Sequence, residues 1–309
     1  MSYSKPIVFI IFRRPDVTAK VFESIRQLRP KKLFVIADGP RADKPGESEK
    51  CAETRAIIDQ VDWDCEVFKR YAEHNLGCGV NISQGISWVF EQVEDAIILE
   101  DDCLPHPDFY HFCENLLDKY KDDDRIMHIS GNQNLINYNK EIKYSYYYSR
   151  YPIIWGWATW RRAWEKYSFT MDNWLEFLAD GWLDRFFDDK RASYVWHKNL
   201  KDVYANQYTW DYQWFFTCWT QSGLAIMPKV NLVSNIGFGD GATHTSDPNN
   251  LWANLPVASL SFPLEHPPFV IRDTFADHHL QNTQFDPSKI NKLSMSINQL
   301  PVMRFREKR

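Results

Sequence analysis

Over the first 130 residues, the apolar positions alternate between unbroken runs and spaced stripes. "PIVFIIF" (6–12) is continuous, as in a strand buried on both faces. Asp16 then reads as an N-cap, ahead of Val17, Val21, Ile25 and Leu28 at helical spacing. "KLFVIAD" (32–38) predicts a second strand that ends on an acid, and "DGPRADKPGES" follows as a Gly-Pro-rich turn. A polar helix is expected around 47–60, a third strand at "CEVFKRY" (65–71) and a turn at "NLGCG". Val80, Ile86, Val89, Phe90 and Val93 mark another amphipathic helix, and "AIILE" (96–100) a fourth strand. A helix opens near Pro107 with Phe109, Phe112, Leu116 and Tyr120 on one face, and "RIMHIS" (125–130) predicts a fifth strand.

This alternation predicts an α/β fold, a mostly parallel sheet with helices on both faces. In such sheets, ligands gather beyond the carboxyl ends of the strands. Arg13 and Arg14, Asp38 and the Glu100–Asp102 cluster would therefore share one rim.

From Tyr144 to Thr220 the character changes. This stretch holds ten of the 13 Trp, ten of the 15 Tyr and six of the 20 Phe. Short helices are expected around 158–168, 172–190 and 192–206, and a strand pair over 223–234. Beyond about 246 the chain reads as loop, rich in Pro, Asn and Asp, and it closes on the basic "MRFREKR". The expected division is a ligand-binding α/β half over 1–130, a second half of the same domain over 131–245, and a C-terminal extension over 246–309.

Composition narrows the function classes. A length of 309 residues suffices for one large core, and a net charge of −5 gives no electrostatic case for nucleic-acid binding. The apolar run Ile7–Phe12 has one lysine ahead of it and two arginines behind. It is short for a secretory leader and far short of the roughly 20 residues of a membrane span. The six cysteines form no C-x-x-C pair and no disulfide framework. Free thiols and a cytoplasmic location are expected.

The candidate chemistry centres on "AIILEDDCLPHP". An apolar strand delivers Glu100, Asp101 and Asp102 at its exit, and Pro105 and Pro107 fix the path that follows. Adjacent carboxylates repel one another, so a cluster on a rigid strand end gains from a bound divalent cation. Mg²⁺ and Mn²⁺ take oxygen ligands and keep positions open for phosphates. The plain alternative is a solvated acidic turn. "KDDDR" (121–125), with no apolar lead-in, reads as just such a polar loop.

"ILEDD" after a strand, with "IADGPR" before it, resembles the GT-A fold nucleotide-diphospho-sugar glycosyltransferases. The nearer likeness is to the inverting N-acetylglucosaminyltransferase I-like group and to bacterial haemolysin-like sugar transferases, over roughly residues 5 to 245. The resemblance implies Asp102 as ligand to Mn²⁺ or Mg²⁺, with Glu100 and Asp101 facing the ribose and nucleotide. It implies that Phe12, Arg13, Arg14 and Asp38 hold base and ribose. "EHNLGCGVN" (73–81), with Asn75 and Gly77, would close over the nucleotide, although N-L-G-x-G alone is a weak phosphate cradle. "IIWGWATWRRAW" (153–164) resembles the segment lining the donor and acceptor site, with Trp155, Gly156 and Trp157. "YTWDYQWFF" (208–216) resembles the segment carrying the catalytic base, here Asp211. The family often has two adjacent acids there, where this chain has Asp-Tyr. In "NIGFGDGATHT" (235–245), His244 would meet the metal or diphosphate, or would be a plain loop residue.

Most of the aromatics should fill a core, while Trp155, Trp157 and Trp210 could form a stacking shelf for an acceptor sugar. The activity implied is inverting, metal-dependent glycosyl transfer in polysaccharide biosynthesis. Its substrates would be a nucleotide-diphosphate sugar (a UDP-sugar by the resemblance) carrying a hexosyl or N-acetylhexosaminyl group, and a hydroxyl of a glycan or lipid-linked acceptor. The basic tail would make at most weak peripheral membrane contact. The alternatives are an inactive carbohydrate- or nucleotide-binding protein of the same fold, and a sugar nucleotidyltransferase. Against the latter, "FRRPDV" stands where a Gly-rich loop would be expected after the first strand.

Overall fold

The computed structural model describes residues 3–136, 138, 141–239 and 250–286. Its first part follows the predicted alternation. Strand β1 (Ile7–Ile11) leads to α1 (Pro15–Leu28), β2 (Lys32–Ala37), α2 (Glu47–Ala56) with a 3-10 turn over 57–60, and β3 (Glu66–Tyr71). Helix α3 (Cys78–Phe90), β4 (Asp95–Glu100), a short β5 (Cys103–Pro105), α4 (Pro107–Lys119) and β6 (Ile126–Ser130) complete it. Strands β1, β2 and β4 are apolar runs with nearly every residue buried, which explains why they carry no alternation. Helix α1 begins two residues earlier than its pattern suggests, because Pro15 takes the first position and Arg14 the cap; Asp16 lies in the first turn. The "KDDDR" stretch is a loop in which Asp123 pairs with Arg125.

The aromatic half departs further. The stretch expected as a helix over 158–168 is strand β7 (Tyr146–Ser149)'s neighbour in sequence, β8 (Trp157–Trp160), followed by one turn of helix, α5 (Arg161–Trp164). All four residues of β8 are buried, and a strand buried on both faces cannot be told from a helix by periodicity. The helix expected over 172–190 is broken at Gly181 into α6 (Trp174–Ala179) and α7 (Trp182–Phe186). Helix α8 (Lys190–Asn206) matches its reading, whereas α9 (Asp211–Thr220) was not anticipated. The two strands of 223–234 do not pair with each other: β9 (Leu224–Pro228) joins the main sheet, and β10 (Val233–Asn235) pairs antiparallel with β5. The stretch beyond 246, read as loop, contains helix α10 (Thr274–Leu280) and a π-turn over 281–285.

Eight strands form one sheet in the order β3-β2-β1-β4-β8-β6-β9-β7, with β8 and β7 antiparallel to the rest. The expected α/β class, a mostly parallel sheet with helices on both faces, is the fold observed. Helices α1 and α4 cover one face, with Val21, Phe22, Ile25, Phe109 and Leu116 packed on β1, β2 and β4. Helices α3, α5 and α9 cover the other. A second apolar cluster gathers residues from α6 to α10 around Trp174, Trp196 and Trp219. Most of the aromatic block is therefore core, as expected. Inside it, the Trp214 indole N–H donates to Nδ1 of the buried His128, so the ring's Nε2–H must serve the carbonyl of Ile153. Burial pushes the pKa of His128 down to about 3. The six cysteines are free thiols. No helix among the described residues is long and apolar enough to cross a membrane.

One anchor fastens the C-terminal segment. Asp277 of α10 is wholly buried; it accepts from the Ser149 hydroxyl at 2.5 Å and faces Arg150 and Arg272 at 3.5 and 3.4 Å. Asp277→Ala would leave Arg150 buried without its charge partner. Urea unfolding should then show a loss of about 3–5 kcal/mol, and a loss below about 1 kcal/mol would mean that α10 is held by its apolar contacts alone.

Candidate functional site

The carboxyl ends of β1, β2 and β4 open on a cavity of about 480 Å³. Register decides who meets there. Ile10 of β1 lies beside Glu100 of β4, so the exits 12–14 and 100–102 run side by side. Phe12, Arg13, Arg14, Asp38, Asn75, Gly77, Glu100, Asp101, Asp102, Trp155 and Asp211 all line the cavity. Eleven of the predicted site residues are thus brought together from segments up to 199 positions apart.

The acids meet a cation of the chain itself. Arg14 donates through Nη2 to Asp101 Oδ1 at 2.9 Å and to Asp102 Oδ2, and through Nη1 to the Gly237 carbonyl at 3.0 Å. The Ile236 N–H donates to the Asp102 carbonyl at 2.9 Å, which brings the chain after β10 directly across the cluster. Gly237 is obligatory there, since a Cβ would lie 2.1 Å from Asp102 Oδ2 and 2.7 Å from Arg14 Nη1.

One arginine does not neutralise the cluster. Burial, and then the charges of Asp102, Asp101 and Asp211, push the Glu100 carboxyl well above the usual carboxylate range. Asp101 is pushed up to about 6 by burial and by Asp102, against the pull of Arg14. Burial works to lower the pKa of Arg14, but the two aspartates outweigh it and the guanidinium is held above its ordinary value. The donor set is thus hard oxygen with negative charge in excess, which suits a divalent cation. Among the described residues, no three His, Cys, Asp or Glu side chains converge to chelate an ion unaided. His244 lies outside the described residues.

A second cationic wall stands at the exit of β2. Glu47, almost wholly buried, accepts from the Arg41 N–H at 2.8 Å and from Arg41 Nε at 2.9 Å, and Arg13 Nη1 stands 3.4 Å away. Two arginines share one carboxylate, and both line the cavity. Asp38 is 6% exposed; burial pushes its carboxyl upward, although backbone N–H groups of Leu76, Gly39 and Gly77 oppose the shift.

Part of the lining is aromatic. Asp211, at the first position of α9, accepts a hydrogen bond from the Thr209 hydroxyl, and Tyr208 and Tyr212 flank it on the cavity. Trp155 faces the cavity and meets Phe238 edge-on, with ring centroids 5.8 Å apart. The three-tryptophan shelf is corrected here. Trp157 is wholly buried, stacked between His128 and Trp210, and does not line the cavity, whereas Trp210 lines it but is 1% exposed. Gly156 does not line the cavity either; it has φ 65°, and a Cβ would lie 2.7 Å from Val233. Sequence reading missed Arg41, Cys78, Asn81, Tyr208, Tyr212 and Asn235. Arg41 stands three residues after Asp38 in the quoted "IADGPR" and was within reach, whereas Asn235 arrives only through the pairing of β10 with β5.

No family model and no curated protein matches the sequence. Solved structures align with parts of the chain. A mannosyltransferase from Pyrobaculum calidifontis in complex with GDP-Man and Mn²⁺ aligns at TM-score 0.36 and 14% identity, over 51% of this chain and 45% of its own. A cytidylyltransferase from Leptospira borgpetersenii aligns at TM-score 0.33 and 10% identity, over 54% and 63%. Mouse xyloside xylosyltransferase 1 aligns at TM-score 0.34 and 10% identity, over 69% and 80%. The chain thus spans about half to two thirds of the length of the first two, and none of these overlaps assigns a substrate or reaction to it.

The Glu47 cluster makes a pH prediction. Bonding to Arg41, against the effect of burial, lowers the Glu47 carboxyl to about 2 from an ordinary 4.5. A depressed carboxyl adds stability above its unfolded value and loses it as pH falls through the folded one. Urea midpoints of the wild type should therefore fall between about pH 4.5 and 2, and Glu47→Gln should flatten that part of the profile. Parallel profiles would remove Glu47 as a source of acid sensitivity.

Proposed function

We propose that this crevice binds a nucleotide-diphosphate sugar and that the chain is an inverting, metal-assisted glycosyltransferase of the GT-A kind. The observation that carries the reading is the pair Asp101 and Asp102 on Arg14 at the exit of β4, with Asp211 lining the same cavity. Transfer of a glycosyl group needs a cationic place for the departing diphosphate and a base across a sugar-sized gap. The acids at the exit of β4, with a cation bound, and Asp211 are the candidates for these two parts.

Asp102 would hold Mn²⁺ or Mg²⁺, whose remaining ligands would be diphosphate oxygens, with Glu100 and Asp101 on the nucleotide side. When bound, the cation supplies Lewis-acid stabilisation of the leaving diphosphate. Arg14 fixes the two aspartates, and its charge adds to the positive field at the departing oxygens. The nucleoside lies against Phe12, Arg13 and the loop carrying Asn75 and Gly77. Asp211 takes the proton of the attacking acceptor hydroxyl, its carboxylate oriented by Thr209. Trp155, with Tyr208 and Tyr212 beside Asp211, presents aromatic faces to a glycan or lipid-linked acceptor. Uridine as the base, a hexosyl or N-acetylhexosaminyl group, and a place in cytoplasmic polysaccharide synthesis rest on the motif resemblance alone. Membrane contact by the tail concerns residues outside the described ones. For the division at 130 and 245 we keep two halves of one unit, a reading supported by β8 of the second half lying between β4 and β6 of the first.

Two variants test this reading. In thermal unfolding with Mn²⁺, UDP at a hundredfold excess over its dissociation constant should stabilise the wild type by about 2.7 kcal/mol. Asp102→Ala should abolish the metal-dependent part of that gain, and a full metal-dependent shift in the variant would dismiss Asp102 as the ligand. Asp211→Asn should bind donor and metal as wild type does but transfer sugar about a hundredfold more slowly, or worse. Undiminished transfer would refute the base assignment. Pyrophosphate exchange in place of transfer would mark a nucleotidyltransferase, and nucleotide binding with no turnover a binding protein.

A further inference from the structure

The carboxylate of Asp38 spends its whole bonding capacity inside the protein. Oδ1 accepts the backbone N–H groups of Gly39 and Leu76, each at 2.8 Å. Oδ2 accepts the Gly77 N–H at 3.0 Å and the Asn75 amide at 3.1 Å. A carboxylate offers about four lone-pair positions, and these four donors fill them.

The same contacts tie a loop to the sheet. The Asn75 amide also donates to the Gly39 carbonyl at 2.9 Å. Arg55 Nη2 bridges the carbonyls of Asp38 and Ala72 at 2.9 and 2.8 Å, and the Ala72 N–H donates to Ala37 at 2.9 Å. The loop lies directly on Gly39, where a Cβ would stand 2.4 Å from the His74 carbonyl carbon. Residues 72–77 are therefore bound to the end of β2 along their length. Gly77 is the residue from which α3 starts, and Cys78 and Asn81 of its first turn face the cavity.

We propose that Asp38 is a positioning residue: it locks the 72–77 loop and the start of α3 onto the exit of β2, and it takes no hydrogen from the ligand. What the crevice binds rests on the nucleotide-sugar reading, whereas the lock belongs to the free protein. The ligand-facing charge at this strand exit is then Arg41, held by Glu47 beside Arg13. The bound group is met there by donors, not by a carboxylate.

Hydrogen exchange on the ligand-free protein tests the lock without reference to function. Asp38→Asn conserves size, but whichever way the amide turns, two of the four donors meet an NH₂ group. The Leu76 and Gly77 amides should then exchange at least about tenfold faster, the effect of losing a charge-assisted bond, while those of β1 and β4 remain as in wild type. Asn75→Ala, which removes a single donor, should accelerate the same amides less. Wild-type exchange at both amides in both variants would overturn the lock. The second arm measures binding of UDP, 2′-deoxy-UDP, 3′-deoxy-UDP and N3-methyl-UDP to wild type and Asp38→Asn. A positioning role predicts the same fold-loss for every ligand. A loss that vanishes for the one ligand lacking a given hydrogen would show direct contact and overturn the proposal. Should the wild type bind none of UDP, GDP and CDP, the nucleotide reading falls, and the exchange result still decides the lock.

Discussion

The site depends on one guanidinium. Arg14 leaves β1 at the cap position of α1, and it reaches two carboxylates 87 and 88 residues away and a carbonyl 223 residues away. Without it, Asp101 would be a buried, unpaired charge, which costs several kcal/mol. The exits of β1 and β4 and the return after β10 therefore form a single electrostatic unit. Because the pairing is incomplete, with Glu100 and Asp101 both pushed upward, the unit keeps an appetite for further positive charge. A site that was fully neutralised would have none.

The parts of the molecule that were legible in the sequence are those where one physical cause acts locally. Parallel strands buried on both faces must be apolar runs, so β1, β2 and β4 announce themselves, and with them the rim to which their last residues are delivered. The aromatic half is illegible for the converse reason. Trp, Tyr and Phe satisfy a buried helix and a buried strand equally well, and β8 enters the middle of the sheet through pairings with segments more than 25 residues away.

The shelf of tryptophans failed at a single residue. In an extended chain Trp155 and Trp157 would point the same way. Gly156 at φ 65° breaks that parity, so Trp155 turns to the cavity while Trp157 enters the core. Asp38 shows the opposite limit. Its position at a strand exit was readable, but its four donors come from loop backbone and one amide, and no sequence pattern counts filled lone pairs.

These features give the crevice an order of charge. Arg13 and Arg41 around Glu47 bring donors to it, Arg14 binds the acids at the exit of β4, and Asp211 lines the same cavity among aromatic rings. Arg14 holds this cluster through more than one bond. Should Asp102 turn towards a metal, Arg14 would keep Asp101 and the Gly237 carbonyl, two of its three contacts. The frame is held by the bonds that do not need to move, and Asp102 is the one member whose loss from the frame the others can bear.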